Sequence, residues 1–282
     1  MGHELWIDTS EFKVEKGTKV DFDLRNGENF DGFSLGYFDR SVEKLYWRQN
    51  GERFDNASRQ GDIPALQIEP DKNGLISAIY VSKPSVIKYK DFKKFHSFAI
   101  EKNAKDAVDL HLSQSFPMEN FSEIYTRYSK ALVGVGSSIG SDQANNLELE
   151  LIAKENPYTD DMSDGIEILL LYNGQPHAFA TLNVFERSTI DFGVNTFAVQ
   201  TNEKGMATVK VKNDRTYLID NVIEKCLLEC HYLSKWSFLL KHIIFFNLEK
   251  WTFKGNYIYI IFLDKCQKYL EELLISDYHS QL

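Results

Sequence analysis

The segment Ile166–Tyr172 reads IEILLLY and is followed directly by the pair Asn173-Gly174. An Asn-Gly pair between two apolar runs is a strong signal of a tight β-hairpin, because both residues tolerate the positive φ that such a turn requires. Further strand-like runs follow at a spacing of about 8 to 12 residues. They lie at 178–186, 195–200, 206–211 and 215–223. This spacing predicts a small antiparallel β-sandwich, which we place at residues 147–223.

Strand-like patterns also occupy most of the chain before this unit. Residues 18–25 and 32–38 alternate apolar and polar side chains, which is the period of a half-buried strand. Residues 75–81, LISAIYV, are more continuously apolar, and strand character resumes at 124–135. We therefore predict an all-β protein with two antiparallel β-sandwich-like domains, the first at residues 3–146.

One part of the first domain departs from strand alternation. Apolar residues recur at helical spacing over residues 91–101, which predicts a short helix with His96 flanking its apolar face. Residues 103–122, which include His111, are polar and poorly periodic. We interpret them as a long excursion without regular structure.

The composition changes abruptly after residue 223. Residues 224–282 are rich in Leu, Ile, Phe, Tyr and Lys and contain all three cysteines, Cys226, Cys230 and Cys266. Apolar residues near the end of this segment fall on one helical face, so we predict a helical tail of different origin from the β domains. It is either a fused helical appendage or, as we favour, the product of an altered reading frame that replaced the native ending. Charged residues interrupt its apolar runs, and we expect no transmembrane segment.

Charge and cysteine content exclude several classes of protein. The 282-residue chain has a formal net charge of −9, which argues against sequence-independent binding to nucleic acid and discourages binding to anionic membranes. No cysteine precedes Cys226, so a disulfide scaffold is excluded for most of the chain. Residues 1–7 lack the basic start and the apolar stretch of a secretory signal; such a start is compatible with a chain from which the signal has been cut.

The stretch from Gly134 to Asn146 is rich in Gly, Ser, Asp and Asn. Its glycines superficially resemble a phosphate-binding loop, but such a loop requires a helix whose amino end meets the phosphate. Strand-like residues 147–153 follow instead. The sequence therefore disfavours nucleotide binding and favours a loop or domain boundary here.

Charged residues on the predicted strands have ordinary structural interpretations. Glu148 and Glu150 share one face of the strand at 147–153, and we expect that face to be exposed to solvent. For Arg127 and Lys130 we favour structural salt bridges over an anion site. Because no nucleophile constellation or buried carboxylate pair is evident, we expect a protein that is not an enzyme.

The first residues, Met1-Gly2-His3-Glu4, place a histidine close to a terminal amine. If Met1 is removed, the Gly2 amine, the His3 amide nitrogen and the His3 imidazole can close fused chelate rings around one metal ion. If Met1 is retained, the amine, two amide nitrogens and His3 form a square nitrogen set suited to Ni(II) or Cu(II). The alternative is that His3 merely precedes a strand, since a lone histidine is usually not a ligand.

Several separated stretches, in order along the chain, together carry a resemblance to one family. They are His3–Ile7, Gly61–Leu66, Gly74–Val81, Tyr89–Phe95, Tyr125–Val133, Leu147–Pro157, Gly174–Pro176 and Thr201–Val209. In these stretches the chain resembles the domain of unknown function 4198 (DUF4198) family, which comprises exported bacterial proteins related to periplasmic components of cobalt and nickel uptake systems.

The resemblance implies an exported, periplasmic protein with His3 at or near the mature amino terminus. It also implies a carboxypeptidase-regulatory or transthyretin-like sandwich for residues 147–223, and a membrane metal-uptake transporter as partner. The chain departs from the family at Ile76, where members often have a histidine. It also lacks the Trp-containing strand with which members usually end soon after the segment matching Tyr217–Val222.

The sequence therefore predicts an extracytoplasmic protein that binds Ni²⁺, Co²⁺ or Cu²⁺. Its candidate ligands are His3 and Gly2, with His111 and His96 as candidates for a further ligand. The alternative function is a non-catalytic interaction or adhesion module of the cell envelope.

Overall fold

The computed structural model describes residues 4–101, 105–225, 236–248 and 257–261. The helices are α1 (Phe92–Glu101) and α2 (Lys105–Ser113). The strands, in chain order, are β1 (Glu4–Asp8), β2 (Lys13–Val14), β3 (Val20–Glu28), β4 (Asp31–Leu35), β5 (Val42–Gln49), β6 (Glu52–Asp55), β7 (Leu66–Ile68), β8 (Gly74–Ser82), β9 (Ser85–Asp91), β10 (Glu119–Val135), β11 (Leu149–Ala153), β12 (Ile166–Tyr172), β13 (Gln175–Pro176), β14 (Thr181–Ser188), β15 (Val194–Gln200), β16 (Met206–Val209), β17 (Arg215–Lys225), β18 (Trp236–Leu248) and β19 (Tyr257–Ile261).

Strands dominate the described residues, which agrees with the predicted all-β class. They form three sheets within the described ranges. The N-terminal sheet has the order β1-β3-β4, with β7 also paired to β3; the outer sheet has the order β11-β12-β13, with β16 paired to β12. The central sheet has the order β15-β14-β17-β18-β19-β10-β8-β5-β6, and β2 and β9 also pair with β10.

The central sheet lies between the other two sheets and contributes to a core on each of its faces. Strand β8 shows this directly, since all nine of its residues are buried. Ile76 and Ala78 pack with residues of the N-terminal sheet, whereas Ile79 and Val81 pack with residues of the outer sheet. Successive side chains of a strand point to opposite faces, so a strand covered on both sides is apolar throughout. This explains the unbroken run LISAIYV.

The strand predictions for 18–25, 32–38, 75–81, 124–135 and the segments from 147 to 223 are confirmed, within a few residues at the ends. The helix predicted at 91–101 is also confirmed, as α1. The assignment of 103–122 as an irregular excursion is wrong, because it contains α2 and the first residues of β10. Helix α2 packs Ala107 and Val108 against Phe95 and Phe121, and this tertiary burial outweighs its weak apolar periodicity.

The prediction of a helical tail is corrected where the structure describes residues after 225. Strand β18 pairs antiparallel with β17 and parallel with β10, and β19 pairs antiparallel with β18 and β10. Their sequences, WSFLLKHIIFFNL and YIYII, are rich in aromatic and β-branched residues, which favour strands. The helical face predicted around Tyr269–Leu274 and all three cysteines lie outside the described residues.

Among the described residues, no helix has the length and apolar character that crossing a membrane requires.

Candidate metal-binding region

The described part of the predicted metal region begins at Glu4, the first residue of β1. Glu4 is buried and is the register partner of Gly27 on β3. Just beyond Gly27, Glu28 is paired with Asp31 at the end of the β3–β4 hairpin. Glu28 and Asp31 therefore lie at the end of the sheet where β1 begins.

The turn that holds these carboxylates is formed by Asn29 and Phe30. Both residues have positive φ, 51° and 66°, as a two-residue type I′ hairpin turn requires. The conformation is uncommon for an aromatic residue. Burial compensates here, since Phe30 is 6% exposed and the Arg187 guanidinium lies 4.6 Å from its ring centroid.

Two glycines permit close approaches here, Gly32 against β1 and Gly27 within the hairpin itself. A Cβ at Gly32 would lie 2.7 Å from Cη2 of Trp6, and a Cβ at Gly27 would collide with the carbonyl oxygen of Asp31. Trp6 is completely buried. Close contact between the indole ring and a backbone without a side chain thus fixes the position of β1 against the hairpin.

An open cavity of about 710 Å³ lies along this hairpin and is lined by residues 26–29 and 31–33. Asp31 is exposed and Glu28 is half-buried. The nearby cation Arg25 forms an ion pair with Asp8 at 3.0 Å. The cavity therefore presents carboxylate oxygens, which together with imidazole nitrogen suit a divalent transition metal.

Gly2 and His3, the principal ligands predicted from the sequence, lie outside the described residues.

His96, the third candidate, lies on the exposed side of α1. Its ring centroid is 5.9 Å from that of Phe92, one turn earlier on the same helix. This agrees with the predicted position beside the apolar face of the helix. His96 stays a sequence-based candidate ligand.

His111, the fourth candidate, lies on α2 and is 2% exposed. Its Nε2 atom is 3.0 Å from the Pro117 carbonyl oxygen, while Nδ1 is buried without a hydrogen-bond partner. Burial lowers the pKa of the imidazole. Its ring packs among four phenylalanine rings, with centroids 4.7 to 5.5 Å away; they belong to Phe92, Phe95, Phe116 and Phe121. These contacts explain His111 as a residue of the hydrophobic core, where it packs between α1, α2 and β10.

His96 lies on α1 and His111 on α2, and both rings contact Phe92 of α1. Across the ranges that the structure describes, no group of three or more His, Cys, Asp and Glu residues is arranged to hold a metal ion. The candidate ligands that the structure describes, His96 and His111, are therefore not part of such a group within these ranges.

Sequence reasoning missed a buried charged cluster formed by Lys130, Asp142 and Glu150. The Lys130 ammonium donates hydrogen bonds to both oxygens of Asp142, at 2.8 and 2.7 Å, and lies 3.5 Å from Glu150. The side chains are 0%, 0% and 1% exposed. Burial raises the pKa of both carboxyl groups, and the neighbouring ammonium opposes the rise.

This cluster confirms the structural salt bridge predicted for Lys130 and corrects the exposed position predicted for Glu150. Glu150 accepts hydrogen bonds from the backbone and side-chain amides of Asn145. The sequence signal was the lysine itself, because a cation in an otherwise apolar strand requires a buried partner.

A second buried carboxyl group that sequence reasoning missed is Glu123 on β10. It is 1% exposed and accepts a hydrogen bond from the Tyr89 hydroxyl at 3.1 Å. Burial raises its pKa to about 8, and the Tyr89 hydrogen bond only partly offsets the rise. Glu123 is thus largely protonated at neutral pH, in contrast to a solvent-exposed glutamate.

The family model described as domain of unknown function (DUF4198) matches residues 1–225. The match covers most of the chain, and the protein belongs to this family. No curated protein matches the chain.

Proposed function

We propose that this member of the DUF4198 family is an extracytoplasmic protein that binds Ni²⁺, Co²⁺ or Cu²⁺ through its amino terminus. The proposed ligands are the His3 imidazole, the Gly2 amine of a chain processed at that residue, and a carboxylate of the β3–β4 hairpin. Its main support is the register of β1 against β3, which places Glu4, the residue that follows His3 in the sequence, beside the hairpin that carries Glu28 and Asp31.

The chemistry of this donor set favours borderline metals over Mg²⁺ or Ca²⁺. An amine, an imidazole and an amide nitrogen are the ligands of tetragonal Ni(II) and Cu(II) sites, whereas Mg²⁺ and Ca²⁺ prefer oxygen alone. A carboxylate from Glu28 or Asp31 would occupy a remaining position and neutralise part of the charge of the ion. His111 is not included, because its Nε2 is engaged by Pro117 and its ring is enclosed by phenylalanines.

The proposal extends to the setting of the protein. We place it in the periplasm, where it would pass metal to a membrane uptake transporter. We also propose that residues 3–146 and 147–223 are two β-sandwich-like units, the second of transthyretin-like or carboxypeptidase-regulatory type, which share the central sheet and unfold together. This setting rests on what the sequence resemblance to exported proteins of metal uptake implies, since the matching family model carries no functional description of its own.

The test is a calorimetric titration of the full chain, with a free amine at Gly2, using NiCl₂. We expect His3→Ala to weaken Ni²⁺ binding about 100-fold, which corresponds to about 2.7 kcal/mol. Glu28→Gln and Asp31→Asn identify the carboxylate, since the variant that removes a ligand should weaken binding about 10-fold. His96→Ala and His111→Gln examine the other two candidates in the same titration.

His177→Ala is the matched control, because His177 lies in a turn after β13 where it contacts Tyr172. Its affinity for Ni²⁺ should equal that of the wild type. If His3→Ala binds Ni²⁺ as tightly as the wild type, the amino-terminal site is wrong. If acetylation of the amine leaves the affinity unchanged, the amine is not a ligand.

A second candidate function, a non-catalytic interaction module of the cell envelope, is favoured by one observation. Ile190 and Phe192, at the tip of the β14–β15 hairpin, are 75% and 69% exposed. Large apolar side chains grouped at one exposed tip are typical of a contact surface.

A further inference from the structure

Strand β15 is the end strand of the central sheet and pairs with β14 alone among the described residues. Its sequence, VNTFAVQ, contains no charged residue and no proline. Natural proteins usually protect an open sheet edge with charges, proline or a bulge, because an unprotected edge pairs readily with another strand. The edge formed by β15 has none of the protecting residues.

The hydrogen bonds that flank β15 determine which backbone groups face outward. The Ser188 amide donates to Gly193, and the Thr201 amide donates to Ala180. Hydrogen-bonded pairs alternate along an antiparallel ladder, so Asn195, Phe197 and Val199 bond to β14. The N–H and C=O groups of the intervening residues therefore point away from the sheet. These residues are Val194, Thr196, Ala198 and Gln200.

Exposed apolar side chains stand at both ends of this edge. Ile190 and Phe192 lie in the turn before β15 and are 75% and 69% exposed. Phe179 lies beside the other end, where its amide donates to the Thr201 carbonyl, and it is 69% exposed. A strand that paired with β15 would therefore have exposed apolar side chains beside each of its ends.

We propose that β15 pairs antiparallel with β15 of a second copy of the chain, about a two-fold axis that passes beside Phe197. In this register Val194 lies opposite Gln200 of the partner subunit, and Thr196 lies opposite the partner's Ala198. All four outward-facing residues then form hydrogen-bonded pairs, and the central sheets of the two copies become continuous.

A second copy fits this edge because a two-fold axis exchanges its two ends. The two-fold axis places the turn with Ile190 and Phe192 of one copy beside the end of β15 that carries Phe179 in the other copy. Apolar side chains therefore meet at both ends of the paired β15 strands. At the axis the two Phe197 side chains form a non-hydrogen-bonded cross-strand pair, with Cβ atoms about 5 Å apart. Phe197 already packs against the core shared with the outer sheet, so the pairing extends that core across the interface.

The test is sedimentation velocity of the full chain over a range of concentrations. The wild type should dimerise, and Ala198→Pro should weaken dimerisation at least tenfold, because the lost N–H faces the partner while the bonds to β14 remain. The double variant Ile190→Lys/Phe192→Lys changes only exposed side chains and should have the same effect. Ile139→Lys, which replaces an equally exposed residue outside this hairpin, is the matched control and should dimerise like the wild type.

Circular dichroism establishes that each variant is folded. If Ala198→Pro does not fold, the double lysine variant decides. A wild type that is monomeric at every concentration overturns the proposal, and so does a dimer that the folded variants leave unchanged. The result is independent of Ni²⁺ binding, which the calorimetric titration measures separately.

Discussion

Lys130 shows how a buried charge is tolerated in this protein. Its ammonium lies within 3.0 Å of both Asp142 oxygens and the Leu151 carbonyl oxygen. Asp142 also accepts hydrogen bonds from the backbone amides of Gln143 and Ala153. Taking such groups out of water costs several kcal/mol per ion, and the dense hydrogen bonding offsets this cost. The cluster ties β10 to β11 and to the loop between them.

We predict that Lys130→Met destabilises the protein by about 3 to 5 kcal/mol, because it leaves two carboxyl groups buried without their counter-ion. Urea unfolding followed by circular dichroism measures the change. Lys72→Met is the control; Lys72 forms an exposed ion pair with Glu52, and its loss should change stability little. Adding Asp142→Asn and Glu150→Gln to Lys130→Met should recover part of the stability. A Lys130→Met variant as stable as the Lys72→Met variant would contradict the prediction.

Glu150 is an example of a residue whose burial the local sequence does not reveal. Alternation in 147–153 correctly separates the leucines from the glutamates, and Leu149 and Leu151 are completely buried. It then implies an exposed face for Glu150, which is 1% exposed. Lys130 and Asn145 cover this face of the strand. Apolar–polar alternation within one strand does not reveal contacts with residues of other segments.

Strand β10 connects the helical pair to the central sheet through Phe121 and Glu123. Phe121 stacks on Tyr89 of β9, with ring centroids 5.2 Å apart, and contacts Phe95 of α1 and His111 of α2. Glu123 follows on the same face of the strand and bonds to the same Tyr89. The protonated state of one carboxyl group thus supports the junction of two helices and two strands.

We predict that Glu123→Gln removes a pH-dependent loss of stability. The pKa of Glu123 is about 8 in the folded protein and has an ordinary value of 4.5. Its stabilising contribution is therefore complete below pH 4.5 and is lost as pH rises toward 8. Between pH 5 and pH 8 the free energy of unfolding of the wild type should fall, relative to Glu123→Gln, by on the order of 3 kcal/mol.

The measurement is denaturant unfolding at both pH values, with Glu119→Gln as control, since Glu119 is an exposed residue of the same strand. The control should follow the pH dependence of the wild type. A difference between wild type and Glu123→Gln that stays constant from pH 5 to pH 8 would show that Glu123 is ionised in the folded protein.

The elements differ in how far sequence predicts them. Strands with one exposed face are correctly placed, because their alternation survives in β3 and in β12. Helix α2 is missed because its stability comes from contact with Phe95 and Phe121 rather than from its own weak amphipathic pattern. The position of Glu28 and Asp31 beside the start of β1 is missed because it depends on the β1–β3 register, which long-range pairing determines.

The domain boundary predicted near residue 146 does not separate the two hydrophobic cores of the protein. Val184, Tyr217 and Ile219 of the later segment pack with Tyr46 and Ile79 of the earlier one. The buried Leu218 belongs instead to the core of the N-terminal sheet. Spacing along the sequence divides the chain near residue 146, but strand pairing joins both parts in the central sheet. Strands of the central sheet contribute side chains to both cores. Unfolding of one core would therefore expose one face of the sheet that the other core requires.

We therefore predict that the folded chain unfolds in a single cooperative transition. Ile76 and Ile79 of β8 are both completely buried, but in different cores. Ile76→Ala and Ile79→Ala should each lower stability by about 2 to 5 kcal/mol, and each should shift the same transition. Urea unfolding followed by tryptophan fluorescence and by far-ultraviolet circular dichroism measures this. If the two signals separate, or if each variant shifts a different transition, the two cores unfold independently and the central sheet does not couple them.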